Sequence, residues 1–365
     1  MDGSEELRGD CRVMFAYDIS QAIDLAGAAA AVRDPSTEGK LGRTYPAPEH
    51  FQFTPPPLRV SQRVAPIEIG RWRTNETVEV VVFDFGAVLV SYSIPLQGSM
   101  EDCVELSCAL ASSPVFAEES RRRVEQLAQA IAAHVTKGSV AEVFEDYHVF
   151  RFHGGGLAQD IEGFLARSGA DLARILRAER DPLSKGEVQD ALATRSQYGS
   201  SDLALIDWHA AVLLDETPED VLRVLEYANV QLLEMRFLDA QLDAALERSL
   251  RSHPPRAMRR FLGPMALRRE LQELASMQIE AAFLFERLGN TLKISGDPYL
   301  ARVLRQASGR FRLNEWNDAA QRKLAVLDNL YDKLHDHAST LRAESLEWLI
   351  VLLIVIEILL SQFVH

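Results

Sequence analysis

The chain has 365 residues, 47% hydrophobic and 25% charged, long enough for two domains that each bury a core. Its formal charge of −14 works against a surface that tracks nucleic-acid phosphates across the whole protein. Three cysteines, Cys11, Cys103 and Cys108, are too few for a disulfide scaffold and read as reduced thiols in a cytoplasmic compartment.

The opening MDGSEELRGD is acidic and lacks an apolar run. It reads as a disordered N-terminus over 1–10, and as neither a secretory signal nor an Arg-rich transit peptide. A mixed α+β domain is expected over 11–200. Arg12–Ile19 has strand character, and Ser20–Val32 reads as a helix opened by a Ser cap. Prolines crowd 34–66, including Pro55-Pro56-Pro57, which marks a loop or linker. Val78–Ile94 gives two β-rich runs around Gly86. Helical patterns follow at Met100–Leu110 and Glu118–Val135, then a strand at Val140–Phe152 and helices at Ala158–Glu179 and Lys185–Arg195.

From Ser201 the strand signal fades, and a helical bundle domain is expected over 201–345. Thr217, Pro218 and Asp220 form a capping-box start, after which Leu222, Leu225, Leu232, Leu238, Leu242 and Leu246 recur at helical spacing. A second helix is expected from Pro264 to Leu288, and a third from about Leu313 onward. The third repeats in heptads, with Leu324, Tyr331 and Leu352 on one seam and Leu327, Leu334, Leu341 and Trp348 on the other. That register suits a coiled coil with a second copy, or packing inside a bundle.

The long helix is expected to run into a single transmembrane anchor over 346–364. The apolar run from Trp348 to Val364 would span roughly 25 Å as a helix, with Trp348 where an interfacial aromatic belongs. Glu357 would then sit near mid-membrane, a costly place for a carboxylate unless another transmembrane protein contacts it. Lys333 and Arg342 precede the run and no Lys or Arg follows it, so the large domain would face the cytoplasm.

The candidate sites are weak. His153-Gly154-Gly155-Gly156 follows a strand, as the oxyanion loop of many esterases does. No serine here stands in a Gly-x-Ser-x-Gly elbow; the nearest form surrounds Ser168 between Ala166 and Ala170. An oxyanion loop without its nucleophile does not make a serine hydrolase. His335-Asp336-His337 and Asp146, His148 and His153 lack metal-ligand spacing. No P-loop or Gly-x-Gly-x-x-Gly element occurs, so no cofactor, metal or catalytic residue is assigned. A basic patch, Arg251, Arg256, Arg259, Arg260, Arg268 and Arg269, spans a Pro-broken connection. It is either an exposed hairpin with Arg paired to Glu, or a weak site for lipid head groups or RNA phosphates.

The tail AESLEWLIVLLIVIEILLS resembles the closing signature of the "required for meiotic nuclear division" family, where Leu-Glu-Trp also precedes an apolar span bearing one Glu. Tyr227–Asp243, Val80–Val90 and the opening RVMFAYDISQAIDL are similar to that family too. The resemblance implies a single-pass membrane protein without known catalytic residues; mitochondrial members sit at the inner membrane and are linked to organellar translation. Together with the composition, it implies a bacterial inner-membrane member. The expected function is a non-enzymatic, membrane-anchored scaffold that forms homo-oligomers, with membrane lipids as partners. The rival expectation is an enzyme or ligand-binding domain built on the N-terminal sheet near His153–Gly156.

Overall fold

Strand β1 (Leu7–Asp18) is the axis of the architecture. Its sequence, LRGDCRVMFAYD, is apolar at successive positions rather than at alternate ones, the pattern of a strand covered on both faces. Cys11, Val13, Phe15 and Tyr17 join one hydrophobic core, while Met14 and Ala16 join a second on the opposite face. The expected disordered stretch 1–10 is thus corrected from Leu7 onward. Leu7 and Asp10 are buried, and a strand buried on both faces orders its own start.

The computed structural model describes residues 7–33, 41–42, 55–153, 160–215, 218–251 and 297–329, with 272, 275–276, 279, 350–351, 353–354 and 356. After β1 come β2 (Ala22–Ile23), α1 (Leu25–Arg33), β3 (Leu41–Gly42), β4 (Leu58–Arg63), β5 (Glu68–Ile69), β6 (Trp72–Arg73), β7 (Thr77–Val82) and β8 (Ala87–Gly98). Next are α2 (Met100–Ser112), α3 (Val115–Ala130), β9 (Val135–Thr136), β10 (Phe144–Phe152), α4 (Ile161–Arg177) and α5 (Lys185–Ala193). Strands β11 (Arg195–Ser196), β12 (Leu203–Ile206) and β13 (Ala210–Leu214) precede α6 (Glu219–Arg251) and α7 (Pro298–Arg310). Helical turns continue over 313–329.

Nine strands form one sheet in the order β11-β12-β13-β10-β1-β8-β7-β4-β3. Its pairs are antiparallel except β10 with β13, which is parallel. Helices α1 to α5 cover one face, where Phe116, Val124, Phe164 and Leu172 pack into the first core. Helices α6 and α7 cover the other through Leu222, Leu225, Leu233, Val303 and Ala307. The fold is α+β, as expected. The β7–β8 turn requires Gly86, whose φ is +108° and whose missing Cβ would stand 1.6 Å from the Ser20 carbonyl oxygen.

Local starts follow the capping rules with one shift. Asp24, not Ser20, opens α1: its carboxylate accepts from the Ala26 N–H at 3.1 Å, because Ala22–Ile23 is drawn into pairing with β9. Ser99 and Asp102 close a reciprocal box at the start of α2. The short apolar runs LALI and AAVLL, past the expected boundary at residue 200, are fully buried strands. Such runs carry no alternation to betray them.

The chain divides into two compact units, Met1–Phe237 with Glu286–Trp316, and Leu238–Phe285 with Asn317–His365. The first holds the sheet and both cores. In the second, Leu238, Leu242 and Ala245 of α6 are buried, as are Ala320 and Leu327. Lys323 joins the two helices, with its Nζ 2.6 Å from Asp239 and 2.7 Å from Asp243.

Of the two packings that the heptad register leaves open, the burial of Leu327 within one chain favours packing inside a bundle, since a side chain fills one hole at a time. Leu324 is half-buried, and Tyr331, Leu334 and Leu341 lie outside the described residues. The expected single-pass anchor is corrected: among the described residues no helix is long and apolar enough to cross a membrane. The inner-membrane placement expected from it is withdrawn with it. The apolar run carries a carboxylate, which is costly in a spanning helix; Trp348 and Glu357 lie outside the described residues.

Candidate functional site

The second face of the sheet carries a layer of charge where α6 lies. Alternation sends Asp10 and Arg12 of β1 to this face, between the apolar positions that point the other way. Arg59 of β4, Glu79 of β7, Ser93 of β8 and Arg151 of β10 join them through the strand registers. Helix α6 answers with Glu219, Arg223 and Glu226, whose spacing of four and three puts them on one helical face.

The contacts are close. Arg59 lies 2.8 Å from Glu226 and 3.0 Å from Glu79. Arg223 lies 2.9 Å from Glu226 and 3.1 Å from Glu79. Arg151 holds Asp10 at 2.7 Å and Glu219 at 3.3 Å, while Arg12 reaches Asp10 at 3.3 Å. Ser93 donates to Asp10 at 3.1 Å. Burial pushes the Glu226 carboxyl up, but Arg59 and Arg223 together outweigh it and hold the group below the ordinary glutamate value. Four arginines thus face four acids. Each charge is met, so the layer offers neither an unpaired base nor an anion receptor; it positions α6.

A second polar knot ties α4, α5 and α7 to the β12–β13 turn. Asp207, fully buried, accepts from Arg177 Nε at 2.6 Å and Arg310 Nε at 2.7 Å. The Tyr147 hydroxyl donates to the Asp207 carbonyl at 2.8 Å. Beside it, the His148 and His209 rings meet edge to face, with centroids 5.1 Å apart. Burial, and then the neighbouring His209, push the His148 imidazole down to about 3. It therefore stays neutral and is no proton shuttle near pH 7.

The sequence candidates fare unevenly. Asp146 and His148 lie 3.7 Å apart, but His153 stands past the strand end, its N–H bonded to the Arg8 carbonyl at 2.9 Å. Among the described residues no group of three His, Cys, Asp or Glu is arranged to hold a metal ion. Ser168 lies inside α4, not on a strand-to-helix elbow. Burial raises the thiol pKa of Cys11, Cys103 and Cys108, that of Cys103 to about 12, so none is an activated nucleophile. Gly154–Gly156, Arg256, Arg259, Arg260, Arg268, Arg269 and His335–His337 lie outside the described residues, and Arg251 is the last residue of α6. The charge layer itself escaped sequence reading. Its signal is Asp10 and Arg12 on either side of Cys11 in a strand with a long apolar run, a place where charge survives burial when paired.

Residues 8–220 match the family described as "Uncharacterized protein MJ0711, N-terminal domain". A protein of Methanocaldococcus jannaschii, "Uncharacterized protein MJ0711", is 23% identical over 239 residues, 65% of this chain and 72% of that protein. No solved structure matches. These findings overturn the resemblance to the "required for meiotic nuclear division" family. That likeness was specific only in the tail, whereas the match runs from β1 through the sheet to the start of α6. Spanning more than half of the sequence, it shows that the chain belongs to the family of the MJ0711 N-terminal domain.

Proposed function

We propose that the protein is a non-catalytic scaffold that associates with its own copies through the helices of its second unit. One observation carries this reading. Of the nine strongly exposed large apolar side chains among the described residues, seven belong to that unit: Ile279, Val326 and five between Ile350 and Ile356. Large apolar side chains left exposed in one unit are a marker of protein association. The paired state of the charge layer and the inert thiols in the first unit are in keeping with it.

The full-length chain is expected to sediment as an oligomer at micromolar concentration. Because Val326 and Ile354 are exposed, charging them need not disturb folding. Val326→Asp with Ile354→Asp should reduce the mass to that of one chain while the circular dichroism spectrum stays unchanged. A wild-type protein that remains monomeric at about 100 μM would refute the reading.

A further inference from the structure

Two imidazoles meet where β10 runs beside the turn that enters β13. The parallel register sets His148 opposite Ala210, which brings His209, one residue earlier, against it. The His148 backbone N–H donates to the His209 carbonyl at 3.4 Å, and the two ring centres lie 5.1 Å apart with their planes at 86°. His148 is buried and His209 half-buried. Nδ1 of His148 and Nε2 of His209 are both shut away from solvent, and neither has a hydrogen-bond partner among the described residues. A buried polar nitrogen normally finds a partner, since burial otherwise costs it its water. Asp207, two residues before His209, shows the contrast: it accepts from both Arg177 and Arg310.

We infer that His148 and His209 form a binding site for a divalent cation of the zinc class, with Nδ1 of His148 and Nε2 of His209 as its protein ligands. Two imidazoles on one tetrahedral cation, each bound through nitrogen at ~2.0–2.1 Å, have ring centres about 5 Å apart, which is the separation found here. The Asp146 carboxylate stands 3.7 Å from Nε2 of His148. A carboxylate on that side draws the ring proton to Nε2 and leaves the lone pair on Nδ1, as outer carboxylates do for metal-binding histidines. The frame is stiff. The Asp207 N–H donates to the Ala210 carbonyl at 2.9 Å, and the Trp208 N–H to the Asp207 carboxylate at 2.7 Å, so the turn that carries His209 is fixed before any ion arrives.

Nitrogen ligands select zinc, cobalt, nickel or copper, whereas magnesium and calcium take oxygen. Among the described residues no group of three His, Cys, Asp or Glu is arranged to hold an ion. Water therefore completes the coordination, and the cation is exchangeable rather than enclosed as in a structural zinc site. This inference stands apart from the self-association reading, since both histidines belong to the first unit.

Calorimetric titration of the tag-free full chain with zinc ion tests it. One ion per chain should bind. Asp146→Asn should weaken binding about tenfold and His209→Gln by more, while His335→Gln with His337→Gln leaves it unchanged. Trp208, 58% exposed with its ring 5.7 Å from that of His209, reports the place: nickel ion should quench its fluorescence, and Trp208→Phe should remove most of the quenching. No binding at millimolar zinc, binding indifferent to His209→Gln, or quenching that survives Trp208→Phe overturns the site. If His209→Gln fails to fold, nitrogen NMR of the wild-type histidine rings decides. Zinc should shift Nδ1 of His148 and Nε2 of His209, and two unmoved resonances overturn the inference.

Discussion

At the scale of single residues, Arg59 bears the most weight in the charge layer. Its side chain is 4% exposed and that of Glu226 is 2%, so removing one partner strands the other charge in a dry place. Arg59→Met should lower stability by about 3–5 kcal/mol, the usual cost of breaking a buried pair from one side. Arg223 still touches Glu226 at 2.9 Å, which favours the lower end. Arg59→Met combined with Glu226→Gln should recover at least half of the loss in urea unfolding. Strictly additive losses in that double-mutant cycle would show that the pair is not coupled.

Among the elements, α7 shows how a short helix protects a sheet edge. It runs along β11, with Arg302 bonding the Gln197 carbonyl at 2.7 Å and Gln306 the Arg195 carbonyl at 3.0 Å. These contacts occupy acceptors that an exposed edge would offer to another chain. Asp297 caps the helix by accepting from Tyr299 N–H at 2.8 Å and Leu300 N–H at 3.2 Å, with Pro298 in the first turn. Asp297→Ala should cost about 1 kcal/mol in thermal or urea unfolding. Asp297→Ser should restore most of it, and equal stability of the Ala variant would count against the cap. The Asp-Pro signal is present in the sequence, but the helical pattern that follows it is too short to stand out.

For the whole molecule, buried titratable groups set opposite limits on stability with pH. His148 falls from 6.5 to about 3 on folding, so between those values the unfolded chain takes up a proton that the folded chain refuses. Its contribution is complete above about 6.5 and is lost as pH falls toward 3, by up to about 1.4 kcal/mol per pH unit. Glu145 and Asp18 act in the other direction, losing their contribution as pH rises through about 7 and about 8. Urea unfolding between pH 4 and pH 6.5 should show a shallower rise for His148→Leu than for the wild type. An unchanged slope would mean that His148 is protonated in the folded state.

Several elements were legible from the chain itself because their signals are local. The strand pair around Gly86 follows from β-branched runs broken by a residue that must adopt positive φ. The start of α2 has its capping box, and the apolar positions of α4 and α6 repeat at helical spacing. Those signals also made the α+β class readable. The order of strands in the sheet, the entry of LALI and AAVLL into it, and the pairing of Arg59 with Glu226 across 167 residues depend on contacts that no local pattern records. The same holds for the long helical repeat near the C-terminus. Its spacing is compatible with a membrane span, a second copy or a neighbouring helix of the same chain, and periodicity measures a face without naming what covers it. Tertiary structure decided the case of Leu327, which is buried within its own chain.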